Sequence, residues 1–187
     1  SSGIGYQASL KMLKNGYEII LPCRNSSTRD RTFDKYRRDT NLDIDINSKF
    51  ISPLVDLSDL TSIKICCDKL IKDQVQLDIL ILNAGMQYTG AKKPRFSSQG
   101  YELTFATNHL GHFYLTYLLL PLLYKSKSPR IVITSSEVHN PKSAGGQVGK
   151  PAFLDNLKGF SSPDGFTMLD GSLIFNADKA YKDSKLC

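Results

Sequence analysis

The sequence predicts an α/β fold, a Rossmann-like doubly wound parallel sheet. Three observations lead there. Short apolar segments alternate with helical ones along the whole chain. The apolar segments are continuous, as in strands covered on both faces, and do not alternate with polar residues. No repeat of fixed period and no linker divides the 187 residues, so 1–187 reads as a single domain large enough for a real core.

Residues 3 to 15 predict the first helix. Ile4, Ala8, Met12 and Leu13 recur at helical spacing, and Asn15-Gly16 forms a left-handed cap. Tyr17 to Cys23 predicts a buried strand and residues 28 to 40 a polar helix. Lys49 to Val55 predicts the next strand, closed by Asp56-Leu57-Ser58. Ser58 is expected to cap a helix reaching Lys72, with Leu60, Ile63, Cys67, Leu70 and Ile71 inward. Leu77 to Leu82 predicts a strand, Tyr101 to Tyr124 a long helix and Arg130 to Thr134 another strand. Residues 139–178, rich in Gly, Pro, Ser and Asp, read as an irregular, lid-like insertion before a last helix near Lys179. The chain opens in Ser1-Ser2-Gly3-Ile4-Gly5 with no strand before it and stops within a helix at Cys187. It therefore reads as truncated at both ends, an internal piece not expected to fold well alone.

Composition removes several classes of function. The net charge is +6 and the pI about 9.1. The densest basic cluster, Arg29, Arg31, Lys35, Arg37 and Arg38, is interleaved with Asp30, Asp34 and Asp39. That is a solvated helix face and not a nucleic-acid groove. Cys23, Cys66, Cys67 and Cys187 form neither a disulfide framework nor a zinc pattern, so a reducing, cytoplasmic setting is the expectation. His109 and His112 stand at i and i+3 but lack further ligands at suitable spacing, so no metal is expected. The longest apolar run, Leu118 to Leu123, contains Pro121 and is too short to span a bilayer, and no signal-peptide pattern opens the chain.

In doubly wound sheets, ligands sit at the carboxyl ends of the strands. The candidate residues fall there. Ser1, Ser2, Gly3, Ile4 and Gly5 open a helix, where backbone can approach a pyrophosphate. Arg24 follows the next strand, where an arginine suits a 2′-phosphate and favours NADP over NAD. Asp56, Leu57, Asn83, Ala84 and Gly85 follow two further strands, and Gly85 permits close approach to a flat ligand. Asn108, within a long helix, is locally unfavourable and points to a kink or a binding role. Ser135-Ser136 follows the last strand. Tyr181 and Lys185, at i and i+4, share a helix face. An ammonium beside a phenol draws its pKa down from about 10, toward a range useful for proton transfer.

Taken together and in order, Ser-Ser-Gly-Ile-Gly, Asp56-Leu57, Asn83-Ala84-Gly85, Asn108, Ser136 and Tyr181-x-x-x-Lys185 resemble the short-chain dehydrogenase/reductase family over nearly the whole chain. A further likeness is to its light-dependent protochlorophyllide oxidoreductases. It rests on the extended segment that sets Ser136 and Tyr181 about 45 positions apart, and on Lys93-Pro94, Phe96, Gly100-Tyr101-Glu102-Leu103 and Asn108-His109-Leu110-Gly111-His112-Phe113. Leu82, Gly85 and Ser136 differ from that subfamily's usual cysteine, alanine and threonine. Ser135-Ser136 is instead the pattern of ordinary carbonyl reductases and retinol-type members.

The resemblance implies hydride transfer from NADP(H). Tyr181 would be the proton donor, and Lys185 would lower its pKa and bind the nicotinamide ribose. Ser136 would hydrogen-bond the substrate, and Asn108 would hold a water linking Lys185 to solvent. Asn83, Ala84 and Gly85 would lie near the nicotinamide. The substrate implied is a small molecule, a tetrapyrrole or a lipophilic carbonyl compound, in a cyanobacterial cytoplasm or a plastid stroma if the photosynthetic likeness holds. A dark carbonyl or retinol-type dehydrogenase and a non-catalytic NADP-binding sensor remain the alternatives. Peripheral membrane attachment and self-association stay open.

Overall fold

The computed structural model describes residues 3–40, 50–161 and 167–187. Ser1, Ser2 and Lys49 lie outside them. The first helix, α1 (Gly3–Lys14), ends as expected at Gly16, whose φ of 87° allows its N–H to reach Leu13 O at 3.0 Å. Its inward face differs from the expectation: Tyr6, Leu10 and Leu13 are buried and Ile4 is 73% exposed. They pack on β1 (Ile19–Ile20), α2 (Ser26–Thr40) and β2 (Phe50–Ile51), through an aromatic run of Tyr6, Tyr36 and Phe50 with ring centroids 4.7 and 4.8 Å apart. The basic residues of α2 do form a solvated face, pairing Arg29 with Asp30 and Arg37 with Asp34.

β1 and β2 run parallel, and their ladder continues as a bridge between Cys23 and Leu54. Beyond it, α3 (Leu60–Lys72) is capped by Asp59 and not by Ser58. Asp59 accepts from Thr61 N at 2.9 Å, while Ser58 donates its hydroxyl to Asp56 at 2.7 Å. The carboxylate one position nearer the helix takes the cap because Ser58 is already committed to the turn.

β3 (Ile79–Leu82) pairs in parallel with β4 (Arg130–Ile133) over four residues. Between them run α4 (Leu103–Phe105), a π-helical turn (Ala106–Leu110) and α5 (Gly111–Leu123), helical without a break. α3, α5 and β3 enclose the main core, including Ile63, Cys67, Leu70, Leu82, Leu119 and Leu122. A Cβ on Gly111 would fall 2.0 Å from Leu57 O, so only glycine lets α5 approach the end of the β2 side this closely.

The strands are parallel, as the continuous apolar runs predict, but two features differ. Among the described residues the four strands form two separate pairs, and β4 is exposed along its length instead of covered on both faces. Beyond β4 the chain forms a 3₁₀ turn (Glu137–His139), α6 (Ala144–Gln147) and a kinked 3₁₀ segment (Asp155–Ser161). In the kink Asp155, Asn156 and Leu157 take φ of 41°, 55° and 58°. The last helix is α7 (Ala177–Leu186), capped by Asn176, which accepts from Lys179 N at 2.8 Å. No described helix is long and apolar enough to cross a membrane.

Candidate active site

The strand ends and α7 meet around Asn108. A π turn adds one residue to the helix and turns a side chain out of register, and such turns frequently mark functional sites. Here the turn aims Asn108, 6% exposed, at the loop after β3. Its Oδ1 accepts from Met86 N at 2.8 Å. Its Nδ2 donates to Met86 O at 2.9 Å and to Ser184 Oγ at 3.0 Å. Ser184 in turn donates to Tyr181 O at 2.7 Å. Asn108 therefore ties the end of β3 to the helix that carries Tyr181 and Lys185. Both Nδ2 donors are used in doing so, while Oδ1 keeps a second lone pair. The water expected there would donate to that lone pair or to the main-chain carbonyl, which also accepts from His112 Nδ1 at 3.1 Å.

Lys185 Nζ donates to Thr134 O at 3.1 Å and lies 5.9 Å from the centre of the Tyr181 ring. The expected pair is thus held on one helix face beside the end of β4. Burial pushes the Lys185 ammonium below its ordinary pKa, because a low-dielectric surround disfavours charge. Gly85 joins the group: the place a Cβ would take lies 3.5 Å from Lys185 Nζ and 3.6 Å from Asn108 Oδ1. Thr134 Oγ1 donates to Asn83 Oδ1 at 3.2 Å, and a Cβ on Gly5 would stand 2.6 Å from Asn83 Nδ2. The start of α1, the ends of β3 and β4, and α7 therefore converge.

Ser136 caps the 3₁₀ turn that packs against α7, and its carbonyl faces His139 Nδ1. Among the described residues, neither the Tyr181 phenol nor the Ser136 hydroxyl is taken up by another group of the chain. Ser135 instead lines a cavity of about 440 Å³ shared with His112 and Lys185. Arg24 is exposed between β1 and α2. Asp56 serves its own turn, accepting from Ser58 N at 2.9 Å, and Leu57 meets Gly111. Ala84 is exposed in the loop after β3, and Ile4 on α1. Among the described residues, no group of three or more His, Cys, Asp or Glu could hold a metal ion.

Sequence reasoning missed the remaining, inward faces of α7. Lys179, Lys182 and Asp183 are buried there, though their i, i+3, i+4 spacing reads as an ordinary surface charge pattern. It also missed a second cavity, of about 300 Å³, walled by Phe96, Tyr101, Phe105, Phe160 and Met168 and reaching Ala180 beside Tyr181. The run of aromatics at 96–105 was the available signal.

Fold and strand-end geometry together define an α/β protein of the Rossmann-like type, with a cleft at the strand ends. A family model described as short chain dehydrogenase matches residues 1–148, and the chain belongs to that family. Its curated relatives include a protochlorophyllide reductase of Avena sativa, 33% identical over the whole chain and 60% of the relative. A chloroplastic one of Chlamydomonas reinhardtii is 36% identical over 46% of its length. The chain thus spans about half to three-fifths of the length of these relatives. Among solved structures, menthone neomenthol reductase from Mentha piperita shares the fold with a TM-score of 0.68 at 20% identity, over 99% of this chain and 78% of that one. A metagenomic short-chain oxidoreductase in complex with NADP does so at 0.63 and 18%, over 99% and 66%.

Proposed function

We propose that the chain is the catalytic part of an NADPH-dependent reductase acting on a protochlorophyllide-like substrate, with Tyr181 as proton donor. The convergence of Asn108, Gly85, Thr134 and Lys185 beside the Tyr181 ring carries this reading. The surroundings fit a dinucleotide: nothing lies within 4 Å of a Cβ on Gly3 at the start of α1, where phosphate charge is favoured, and the exposed Arg24 suits a 2′-phosphate.

NADPH, when bound, supplies the hydride. Tyr181 gives its phenolic proton to the substrate atom that gains it. Lys185, anchored on Thr134 O, sets positive charge against the phenolate left behind. Ser136 orients the substrate through its free hydroxyl. Asn108 fixes the strand end against α7, so these donors need no reorganisation during the reaction. Asn83, Ala84 and Gly85 lie where the nicotinamide end would rest, and Lys185 would also reach its ribose.

The names of the relatives and the aromatic cavity beside Ala180 support a large, flat, apolar substrate. Relatives named chloroplastic support a plastid setting. Leu82, Gly85 and Ser135-Ser136 favour a second reading, dark reduction of a lipophilic aldehyde or ketone by the same residues. Full-length protein with NADPH and protochlorophyllide, followed by absorbance in darkness and after a flash, separates the two. Product only after light is expected. Turnover of retinal in the dark with no photoproduct would replace the first reading by the second. Tyr181→Phe should lower either activity by roughly 10²- to 10⁴-fold while NADPH still binds. Full turnover in that variant would remove Tyr181 from the mechanism.

A further inference from the structure

α7 has two working faces. At about 100° per residue, Tyr181 and Lys185 lie on one side, Asp183 and Lys179 lie almost opposite, and Lys182 lies about a quarter-turn from the pair, between the two. Each of those three is at least nine-tenths buried. Lys182 Nζ donates to three carbonyls of the inserted segment: Gly146 O at 3.0 Å, Val148 O at 2.5 Å and Lys150 O at 3.1 Å. An ammonium has three donors, so this one is saturated by main chain alone. Lys179 Nζ is saturated as well, by Asp183 Oδ2 at 2.5 Å, Phe153 O at 2.9 Å and Asp170 Oδ2 at 3.1 Å. Asp183 Oδ1 accepts from Phe153 N at 2.9 Å, so both main-chain groups of Phe153 are held by the pair. Asp170 also accepts from Ser172 N and Oγ, each at 3.0 Å, which closes the turn on that side.

Two buried cations and two carboxylates cost desolvation that apolar packing would avoid. What they provide is direction. A carbonyl cage accepts one arrangement of residues 146–150, whereas an apolar contact would tolerate many. The residues so held have few apolar anchors of their own: Ala152 and Met168 are buried, but Val148 is 71% and Phe153 54% exposed.

We propose that Lys182, together with Lys179, Asp183 and Asp170, latches residues 146–153 and 168–172 to the catalytic helix, and that these four are positioning residues that set the insertion over the cleft served by Tyr181. The inference rests on the reading of α7 as the catalytic helix. A rigid helix turns the pose of the insertion and the pose of the proton donor into one geometric variable. Substrate size and shape are then read by an element whose position is fixed from other faces of the same helix.

The test uses full-length Lys182→Met, which keeps the stem and removes the donors, and the milder Asp170→Asn, which leaves the cage intact. Amide hydrogen exchange should quicken roughly tenfold or more across 146–153 in Lys182→Met and across 168–172 in Asp170→Asn, with 60–72 and 115–123 unchanged. KM for protochlorophyllide in light, or for retinal in the dark if that is what wild type reduces, should rise roughly 10- to 100-fold. NADPH affinity should hold within about twofold, since no latch residue is among those proposed to bind it. Equal acceleration in the core would make the residues merely structural, and faster exchange with unchanged KM would deny them any hold on the substrate. Unchanged exchange would deny the latch itself. If wild type turns over neither substrate, the proposed function fails on its own. The latch is then decided by exchange and by absorbance titration of bound protochlorophyllide.

Discussion

The core under β3 and the insertion after β4 are held by opposite means. In the first, among the described residues, α3, α5 and β3 together with Val55 and Leu77 form one cluster of twelve buried apolar side chains, from Ile63 at 0% to Leu80 at 9% exposure. In the second, Leu173 and Ile174 are 79% and 76% exposed; beside a few buried apolar residues such as Ala152 and Met168, the ties are two lysines and two aspartates bonded to main chain and to one another. Apolar burial is strong and non-directional, so it fixes that a region is compact. Charged hydrogen bonds to carbonyls contribute less net stability and fix where a segment lies.

The sharpest way to break that contrast is to weaken the core. Leu122 is 2% exposed between α3 and α5. Leu122→Ala should cost roughly 2–5 kcal/mol by lost burial and a cavity, read as a shift of the whole denaturant transition. If the insertion melted first and the core followed later at its old midpoint, the two regions would not share a cooperative unit.

The next largest effect is acidic. His112, on α5 at 8% exposure, lines the cavity it shares with Ser135 and Lys185, and burial pulls its pKa down to about 4. The unfolded imidazole takes up its proton near 6.5, so between about 6.5 and 4 the unfolded chain binds more protons and stability falls as pH falls. The loss is at most about 3 kcal/mol and is complete near the folded value. His112→Gln, which keeps a donor for Asn108 O, should flatten that part of the stability–pH curve. An unchanged slope would mean that His112 is protonated in the folded protein.

An intermediate case joins the regions. Phe160 of the insertion meets Phe105 edge-on at 5.1 Å and Tyr101 at 6.3 Å, although it is 46% exposed. Phe160→Ala should cost on the order of 1 kcal/mol and loosen the insertion without moving the core. Protease cleavage near 155–160 would report it, and unchanged cleavage would leave the polar latch as the insertion's main tie.

What was legible in the sequence follows the same division. The parallel strands and α3 with Ile63, Cys67 and Leu70 inward were readable because periodicity encodes them, and the i, i+4 spacing set Tyr181 and Lys185 on one helix face; the grouping of Asn108 with them came from the family resemblance and not from periodicity. The inward face of α1 was misread because Tyr6 and Ser9, not Ile4, meet Tyr36, and a tyrosine–serine contact leaves no apolar period. The separate strand pairs and the exposed β4 could not be read, since an apolar run does not say which neighbour it meets. Lys182 was invisible for a stronger reason: its partners are main-chain carbonyls, which every residue has.

The smallest expected effect tests whether burial, and not charge, makes the latch. Lys158 pairs with Asp155 at 2.7 Å, at the kink of the same insertion and with the same chemistry as Lys179 and Asp183. Its side chain is 63% exposed, however, against 6% for Lys179. Water screens the first pair and must be displaced to break into the second. Lys158→Ala should therefore change stability by less than about 0.5 kcal/mol and leave exchange across 146–153 at the wild-type rate. A loss as large as that from Lys182→Met would mean that the insertion responds to net charge, and the carbonyl cage would lose its claim to set the segment's position.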